Sequence, residues 1–136
     1  MARRLIFDTS ALVWAERHSV ELDGVVSSED DVAVAAVTVA ELELGRALAG
    51  ARYQPAHDRF IGNVLAVLEV IPYDVAVAHR HAELLFAVRR SGRPRGAHDL
   101  IIAATALETE REVLTVDQRG FGDLPGVTLA SWPETP

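Results

Sequence analysis

The sequence has 136 residues, a formal net charge of −7 and no cysteine, which suits one domain with its own core and excludes disulfide frameworks and thiolate zinc sites. All 13 basic residues are arginine, and the absence of lysine excludes P-loop nucleotide binding and Schiff-base chemistry, because both need a lysine side chain. No apolar run reaches the roughly 20 residues of a membrane span and no signal-peptide pattern precedes the first strand, so we expect a cytoplasmic protein.

The first part of the chain alternates between apolar runs typical of buried strands and segments with helical spacing. Arg3–Phe7 is predicted to be a strand, and a helix is predicted over Thr9–Arg17. The β-branched and alanine run Val32–Val37 predicts a second buried strand. Thr38 and Glu41 have the spacing of a capping box, so Thr38 is the predicted N-cap of the next helix and Glu41 its third residue.

The other predicted elements continue this alternation. They are a short helix around Val20–Val26, a helix opened by Pro55, a short strand at Val70–Ile71, a helix that starts at Asp74, an apolar helix over Ala97–Glu110, a strand over Glu112–Asp117 and a last strand over Val127–Ala130. Helical spacing places Leu65 and Leu85 among the predicted core residues. Alternating strands and helices imply an α/β fold, with a mostly parallel sheet covered by helices on both faces, in a single domain over residues 1–136.

Four acidic residues share one place in this predicted architecture. Asp8 and Asp117 each end a predicted strand. Glu41 and Asp99 each lie in the first turn of a predicted helix, and the helix of Asp99 is the most apolar one. Because the carboxyl ends of parallel strands meet at one edge of the sheet, where ligands bind, we expect these carboxylates to converge there.

Each of the four acids also has an ordinary structural interpretation. Asp8 and Asp117 suit caps or turns, Glu41 closes a capping box, and an acid at the position of Asp99 complements the helix dipole. These interpretations require several coincidences at one edge, which favours a shared site. Clustered carboxylates repel one another, and Mg²⁺ or Mn²⁺ relieves this repulsion because both ions prefer oxygen ligands. Such ions activate water and steady the phosphate in phosphodiester hydrolysis.

Four short motifs, in this order, resemble those of PIN-domain ribonucleases, most closely the VapC-type toxins of bacterial toxin–antitoxin pairs. The motifs are Phe7–Ser10, Val39–Leu42, His98–Ala104, and Leu114–Asp117 followed by Phe121. The resemblance spans nearly the whole chain. It implies a PIN-like three-layer α/β/α fold and an endoribonuclease that uses Mg²⁺ or Mn²⁺. It also implies an RNA substrate, a homodimer and a small antitoxin protein that blocks the site.

The same resemblance implies roles for individual residues. The family's metal-binding catalytic acids fall on Asp8, Glu41, Asp99 and Asp117, and its supporting hydroxyls fall on Thr9 or Ser10 and on Thr115. In the reaction that this implies, a metal-activated water attacks the phosphodiester and leaves a 5′-phosphate and a 3′-hydroxyl.

Two further groups of residues have both a functional and a structural interpretation. The arginines upstream of Asp99 either bind RNA phosphates or form a solvated helix end. These are Arg89, Arg90, Arg93 and Arg95. Trp14 and Phe121 suit stacking on a base or contact with an antitoxin helix, but core packing is the expectation for each.

Two other functions compete with RNA hydrolysis. A metal-dependent phosphatase or phospho-acceptor domain generally pairs aspartates with a lysine, and this sequence has none. A catalytically silent PIN-like binding module would keep the acidic edge only for a basic partner. An RNA cleavage assay with and without EDTA separates these three functions.

Overall fold

The computed structural model of the protein describes residues 2–132, and their framework is a five-stranded sheet. The strands are β1 (Arg4–Phe7), β2 (Asp31–Ala35), β3 (Glu69–Ile71), β4 (Glu112–Thr115) and β5 (Leu129–Ser131). Their order in the sheet is β3-β2-β1-β4-β5, and all four neighbouring pairs are parallel. The chain adds strands on one side of β1 and then returns to the other side, so the order reverses between β1 and β4.

Five α-helices connect these strands. They are α1 (Thr9–Arg17), α2 (Ala36–Leu48), α3 (Gln54–Val67), α4 (Val75–Ser91) and α5 (Ala97–Glu108), with 3-10 turns at Leu22–Gly24 and Gln118–Gly120. Within residues 2–132, none of these helices combines the length and apolar character that crossing a bilayer requires.

The two faces of the sheet pack into separate hydrophobic cores. Leu5 and Phe7 point to one face and pack in a cluster with Ile61 of α3, whereas Ile6 points to the other face and packs in a cluster with Ile102 of α5. Successive side chains of a strand alternate between faces, so the fully apolar β1 serves both cores. This arrangement confirms the predicted three-layer α/β/α fold.

The predicted start of α2 is wrong. The helix begins at Ala36, two residues before Thr38, and Ala35 is its N-cap without a side-chain hydrogen bond. Thr38 is fully buried inside the helix, and Glu41 lies in the second turn. The apolar run after Ala35 continues as helix, in which Val37 packs against the cluster of Ile6 and Ile102. Glu41 therefore closes no capping box, and its structural interpretation is lost.

Several other predictions from local pattern are also wrong. The helix around Val20–Val26 is only the 3-10 turn Leu22–Gly24, and the last strand is shifted to Leu129–Ser131. Leu65 and Leu85, predicted as core residues, are 45% and 40% exposed. Leu65 follows buried Val64, and Leu85 follows buried Leu84. Because the apolar stripe of each helix is wide, the sequence does not indicate which of two neighbouring apolar residues faces the core.

Arg111 joins three strands at the amino edge of the sheet. Its side chain is 3% exposed. The Nη1 group donates to the carbonyls of Leu5 (3.2 Å) and Asp31 (2.8 Å) and to the Asp31 Oδ1 atom (2.9 Å). The guanidinium thus satisfies main-chain acceptors of β1 and β2 from the start of β4.

Arg111→Met is expected to lower the free energy of unfolding by about 2–3 kcal/mol, because it leaves these acceptors without a donor. Arg4→Met is the matched control, since Arg4 pairs with the same Asp31 through a half-exposed side chain and should cost at most about 1 kcal/mol. Urea unfolding of both variants measures the difference, and equal losses would contradict the proposed role of Arg111.

Candidate active site

The candidate site lies at the carboxyl edge of the sheet, where the strand order reverses between β1 and β4. Asp8 directly follows β1, and its main-chain N–H donates to the Leu114 carbonyl of β4 over 3.1 Å. In open parallel sheets this reversal opens a crevice in which ligands bind. The first predicted acid therefore lies at the position in the sheet that most favours a ligand site.

Asp8 is a buried carboxylate held by several donors. Its Oδ1 atom accepts from the Ala11 N–H over 2.8 Å and so caps α1. Its Oδ2 atom accepts from the hydroxyls of Ser10 (2.8 Å) and Thr115 (2.6 Å). Burial raises the pKa of the Asp8 carboxyl above its ordinary value, although these hydrogen bonds oppose the shift. Asp8 is thus both a helix cap and a member of the site.

Thr115 links the ends of β1 and β4. Its hydroxyl donates to Asp8 and accepts from the Asp117 N–H over 3.0 Å. The Thr115 side chain is buried, which makes this a direct polar connection in the interior. The predicted supporting hydroxyls of Ser10 and Thr115 both orient Asp8.

Thr9 supports a different acid. Its hydroxyl donates to Glu41 Oε1 over 2.6 Å and lies 3.1 Å from the hydroxyl of buried Thr38. The other carboxylate oxygen of Glu41 lies 3.3 Å from His98 Nδ1. Neither Thr38 nor His98 is predicted from the sequence to belong to the site. Thr38 is predicted as a helix cap, and His98 appears only as the first residue of the motif His98–Ala104.

Asp99 provides the evidence that the acids converge. It lies in the first turn of α5. Burial raises the pKa of the Asp99 carboxyl, and the negative charges of Asp8, Glu41 and Asp117 raise it further. Contacts support the same arrangement, because Glu41 lies beside His98, the neighbour of Asp99, and Thr115 contacts both Asp8 and Asp117. The four predicted acids therefore lie in one region at the carboxyl edge.

Asp117 differs from the other three acids because a guanidinium neutralises it. Its Oδ1 and Oδ2 atoms accept from Nε (2.9 Å) and Nη2 (3.0 Å) of Arg119. These hydrogen bonds lower the pKa of the Asp117 carboxyl. Its Oδ1 atom also accepts from the Arg119 N–H and caps the 3-10 turn Gln118–Gly120.

The four acids offer the oxygen ligands that a hard divalent cation prefers. All four side chains offer carboxylate oxygens, and the raised pKa values of Asp8 and Asp99 mark a site where added positive charge is stabilising. Among residues 2–132, however, no three histidine or acidic side chains are gathered into a ready-made metal-binding group.

The other predicted site residues lie outside this cluster of acids. Arg89, Arg90 and Arg93 are exposed, and Arg93 Nη1 lies 3.6 Å from Asp123 Oδ2. Arg95 is half-buried and donates from Nη2 to the Gly122 carbonyl. The expectation of core packing holds for Phe121, which is buried, whereas half-buried Trp14 packs edge-on against Trp132 with ring centroids 5.4 Å apart.

Comparison with known proteins places this geometry in a family context. The family described as PIN domain matches residues 5–127. The VapC ribonuclease Y4jK of Sinorhizobium fredii is 32% identical over 118 residues, which cover 84% of this chain and 78% of that protein.

Two solved structures show the same fold. The VapBC2 complex of Rickettsia felis, bound to a DNA fragment of its promoter, has a chain that superposes with a TM-score of 0.82 at 20% identity, covering 96% of this chain and 99% of that chain. The FitAcB structure of Neisseria gonorrhoeae has one with a TM-score of 0.75 at 27% identity, covering 95% and 96%.

Asp99→Asn is expected to raise the melting temperature of the metal-free protein at neutral pH. Because folding raises the pKa of Asp99 above its ordinary value of 3.8, ionising this carboxyl costs more in the folded state than in the unfolded chain. The advantage of the variant should be absent below pH 3.8 and grow as the pH rises through the raised folded pKa. Thermal melts in EDTA at acidic and neutral pH measure it.

Asp123→Asn is the control for this comparison, since the Asp123 side chain is 79% exposed and should respond little. A melting temperature of Asp99→Asn below that of the wild type at neutral pH would show that the acids do not repel one another at a shared site.

Proposed function

The chain belongs to the PIN-domain family, and on this basis we propose that it is a metal-dependent endoribonuclease, the toxin of a type II toxin–antitoxin pair. The observation that supports this most directly is the buried Asp8 carboxylate at the reversal of strand order, which Thr115 of β4 holds by a hydrogen bond and which three further acids accompany. A fold alone would not establish chemistry, but acids converging at this edge suit phosphodiester hydrolysis.

We assign the metal-holding role to Asp8, Glu41 and Asp99, with Asp117 as the fourth acid. Mg²⁺ is the proposed ion and Mn²⁺ its substitute, because both take oxygen ligands. When bound, such an ion supplies Lewis-acid activation of water and charge neutralisation at the phosphate. Asp117 contributes only after its carboxylate is released from Arg119.

The remaining residues of the site orient these acids. Ser10 and Thr115 hold one Asp8 oxygen by hydroxyl donors, and Thr9 holds one Glu41 oxygen. Donors on these oxygens fix the direction of the remaining lone pairs, which is the usual role of groups behind metal ligands. His98 lies beside Glu41 with a half-exposed side chain, so its ring is accessible to a phosphate of bound RNA.

The proposed partner is a small antitoxin protein, and the molecule has a groove next to the site that suits one. The groove measures about 790 Å³ between α1, α2 and α3, and its lining runs from Glu41 to Leu48 and Tyr53. Leu48 is 78% exposed and Tyr53 57% exposed. An amphipathic segment that buries these side chains would bring a basic residue to the acids. The homodimer that the resemblance implies stays a prediction.

Asp8→Asn and Asp99→Asn are each expected to lower RNA cleavage by roughly 100-fold or more, about 2.7 kcal/mol of transition-state stabilisation. Asp23→Asn changes an exposed acid in the 3-10 turn Leu22–Gly24, outside the site, and should cleave as the wild type does. Cleavage of a total RNA pool with Mg²⁺, with Mn²⁺ and with EDTA measures all four proteins. Robust cleavage by either site variant, or by the wild type in EDTA, would refute the proposal, and inactive wild-type protein with bound Mn²⁺ would favour the silent binding module.

The exposed arginines at the end of α4 are the proposed contacts for RNA phosphates. Arg89→Glu with Arg93→Glu should weaken RNA binding and flatten its dependence on salt, because fewer counterions are released. Arg52→Glu with Arg59→Glu makes the same change of charge on another exposed surface. Filter binding at several salt concentrations, in an Asp8→Asn background that prevents cleavage, compares the pairs. If both pairs of variants show the same dependence of RNA binding on salt, Arg89 and Arg93 only form a solvated helix end and do not bind RNA phosphates.

A further inference from the structure

Two glycines from separate segments lie against the carboxylate of Asp99. A Cβ atom placed on Gly120 would lie 2.6 Å from Asp99 Oδ2, and one placed on Gly96 would lie 3.1 Å from the same oxygen. The first distance is shorter than any normal contact between a carbon and an oxygen atom. At Gly120 the main chain therefore approaches the carboxylate more closely than a residue with a side chain would allow, whereas at Gly96 a Cβ atom would require the carboxylate to shift by a few tenths of an ångström.

Backbone conformation does not explain either glycine. Gly96 has φ −59° and ψ 137°, which any residue adopts, and Gly120 is not among the glycines of positive φ, which are Gly92 and Gly126 within the described chain. Gly96 is also the N-cap of α5 and makes no side-chain hydrogen bond there. Serine or aspartate at an N-cap would stabilise the helix more than glycine. Close approach to Asp99 accounts for the missing side chain at Gly120, whereas at Gly96 it acts together with the ordinary acceptance of glycine at an N-cap.

Arg95 connects the two segments that carry these glycines. It precedes Gly96 in the linker between α4 and α5, and its Nη2 group donates to the carbonyl of Gly122, two residues beyond Gly120. Its side chain is half-buried, and its buried Nε atom has no hydrogen-bond partner among the described residues. A guanidinium in this position holds the linker and the loop after β4 together around Asp99.

We propose that Gly96, Gly120 and the Arg95–Gly122 hydrogen bond form a positioning clamp that holds the Asp99 carboxylate in the direction needed for the divalent ion. The metal part of this inference rests on the proposed function, but the placement of the carboxylate does not. These are positioning residues, since none of them offers a side chain to the ion. A new Cβ atom at Gly96 or Gly120 would meet the far end of the Asp99 side chain. Substitution of either glycine should therefore displace the Asp99 carboxylate and leave the fold unchanged.

The first test compares three glycine variants. Gly120→Ala should weaken Mn²⁺ binding by about tenfold or more, the usual loss when the support of a metal ligand is removed. Gly96→Ala, with the longer contact, should weaken it less. Gly24→Ala is the matched control, because Gly24 also ends a 3-10 turn and a Cβ atom placed there would meet nothing within 4 Å, and it should bind as the wild type does. Isothermal titration with Mn²⁺ measures binding, and melts in EDTA should show all three variants folded and as stable as the wild type.

Wild-type affinity in Gly120→Ala would overturn the clamp, and so would a loss of stability in EDTA large enough to account for weaker binding. If the wild type itself binds no Mn²⁺, the proposed function fails but the clamp is still tested. Crystal structures of the wild type and of Gly120→Ala should then show the Asp99 carboxylate displaced in the variant. An unmoved carboxylate would overturn the clamp independently of any metal.

Arg95 provides a second test, because its positive charge and its role in the clamp predict opposite changes in Mn²⁺ affinity when it is removed. Removing a positive charge near the acids by itself strengthens cation binding, whereas loosening the clamp weakens it. Arg95→Met should therefore bind Mn²⁺ several-fold more weakly than the wild type. Arg93→Met, on the same linker with a side chain 69% exposed, should bind equally or more tightly. Binding by Arg95→Met as tight as that of the wild type would show that Arg95 has no part in placing Asp99.

Discussion

The structure depends on one buried carboxylate at the end of its central strand. Asp8 ends β1, caps α1 through Oδ1 and accepts two hydroxyl hydrogen bonds on Oδ2. An ionised group at 3% exposure is costly unless donors compensate for lost water. Here the donors come from the next helix and from Thr115 of β4, so the same contacts that stabilise the charge also hold three elements together.

The acids around Asp8 lower the stability of the metal-free fold, but the same acids are the ones that would bind a cation. The pKa of Asp99 is raised by burial and by its neighbours, so the metal-free fold contains repulsion that a cation would relieve. The cost is compensated elsewhere, in two cores that use both faces of β1 and in the arginine that joins the amino edge of the sheet. Repulsion of this kind is typical of functional sites, where ligand binding supplies the missing stabilisation.

Local patterns identified elements reliably where the apolar run itself is buried. The runs Leu5–Phe7, Leu100–Ala106 and Val113–Leu114 identified β1, α5 and β4 because nearly every residue in them is buried. The capping box at Thr38 failed because a buried threonine in the first turn of a helix has the same spacing to Glu41 as a cap. Leu65 and Leu85 were wrongly predicted as core residues because helical spacing does not show how much of a helix the neighbouring elements cover.

The sequence by itself determined the alternation of strands and helices and singled out the four candidate acids, because these depend on residue type and order along the chain. Only the tertiary structure decided which distant partner holds each acid. Thr115 meets Asp8 across 107 positions, and Thr9 meets Glu41 across 32. The close approach of Gly120 to Asp99 likewise has no local signal, since a contact between distant segments exists only after the sheet has brought them to one edge.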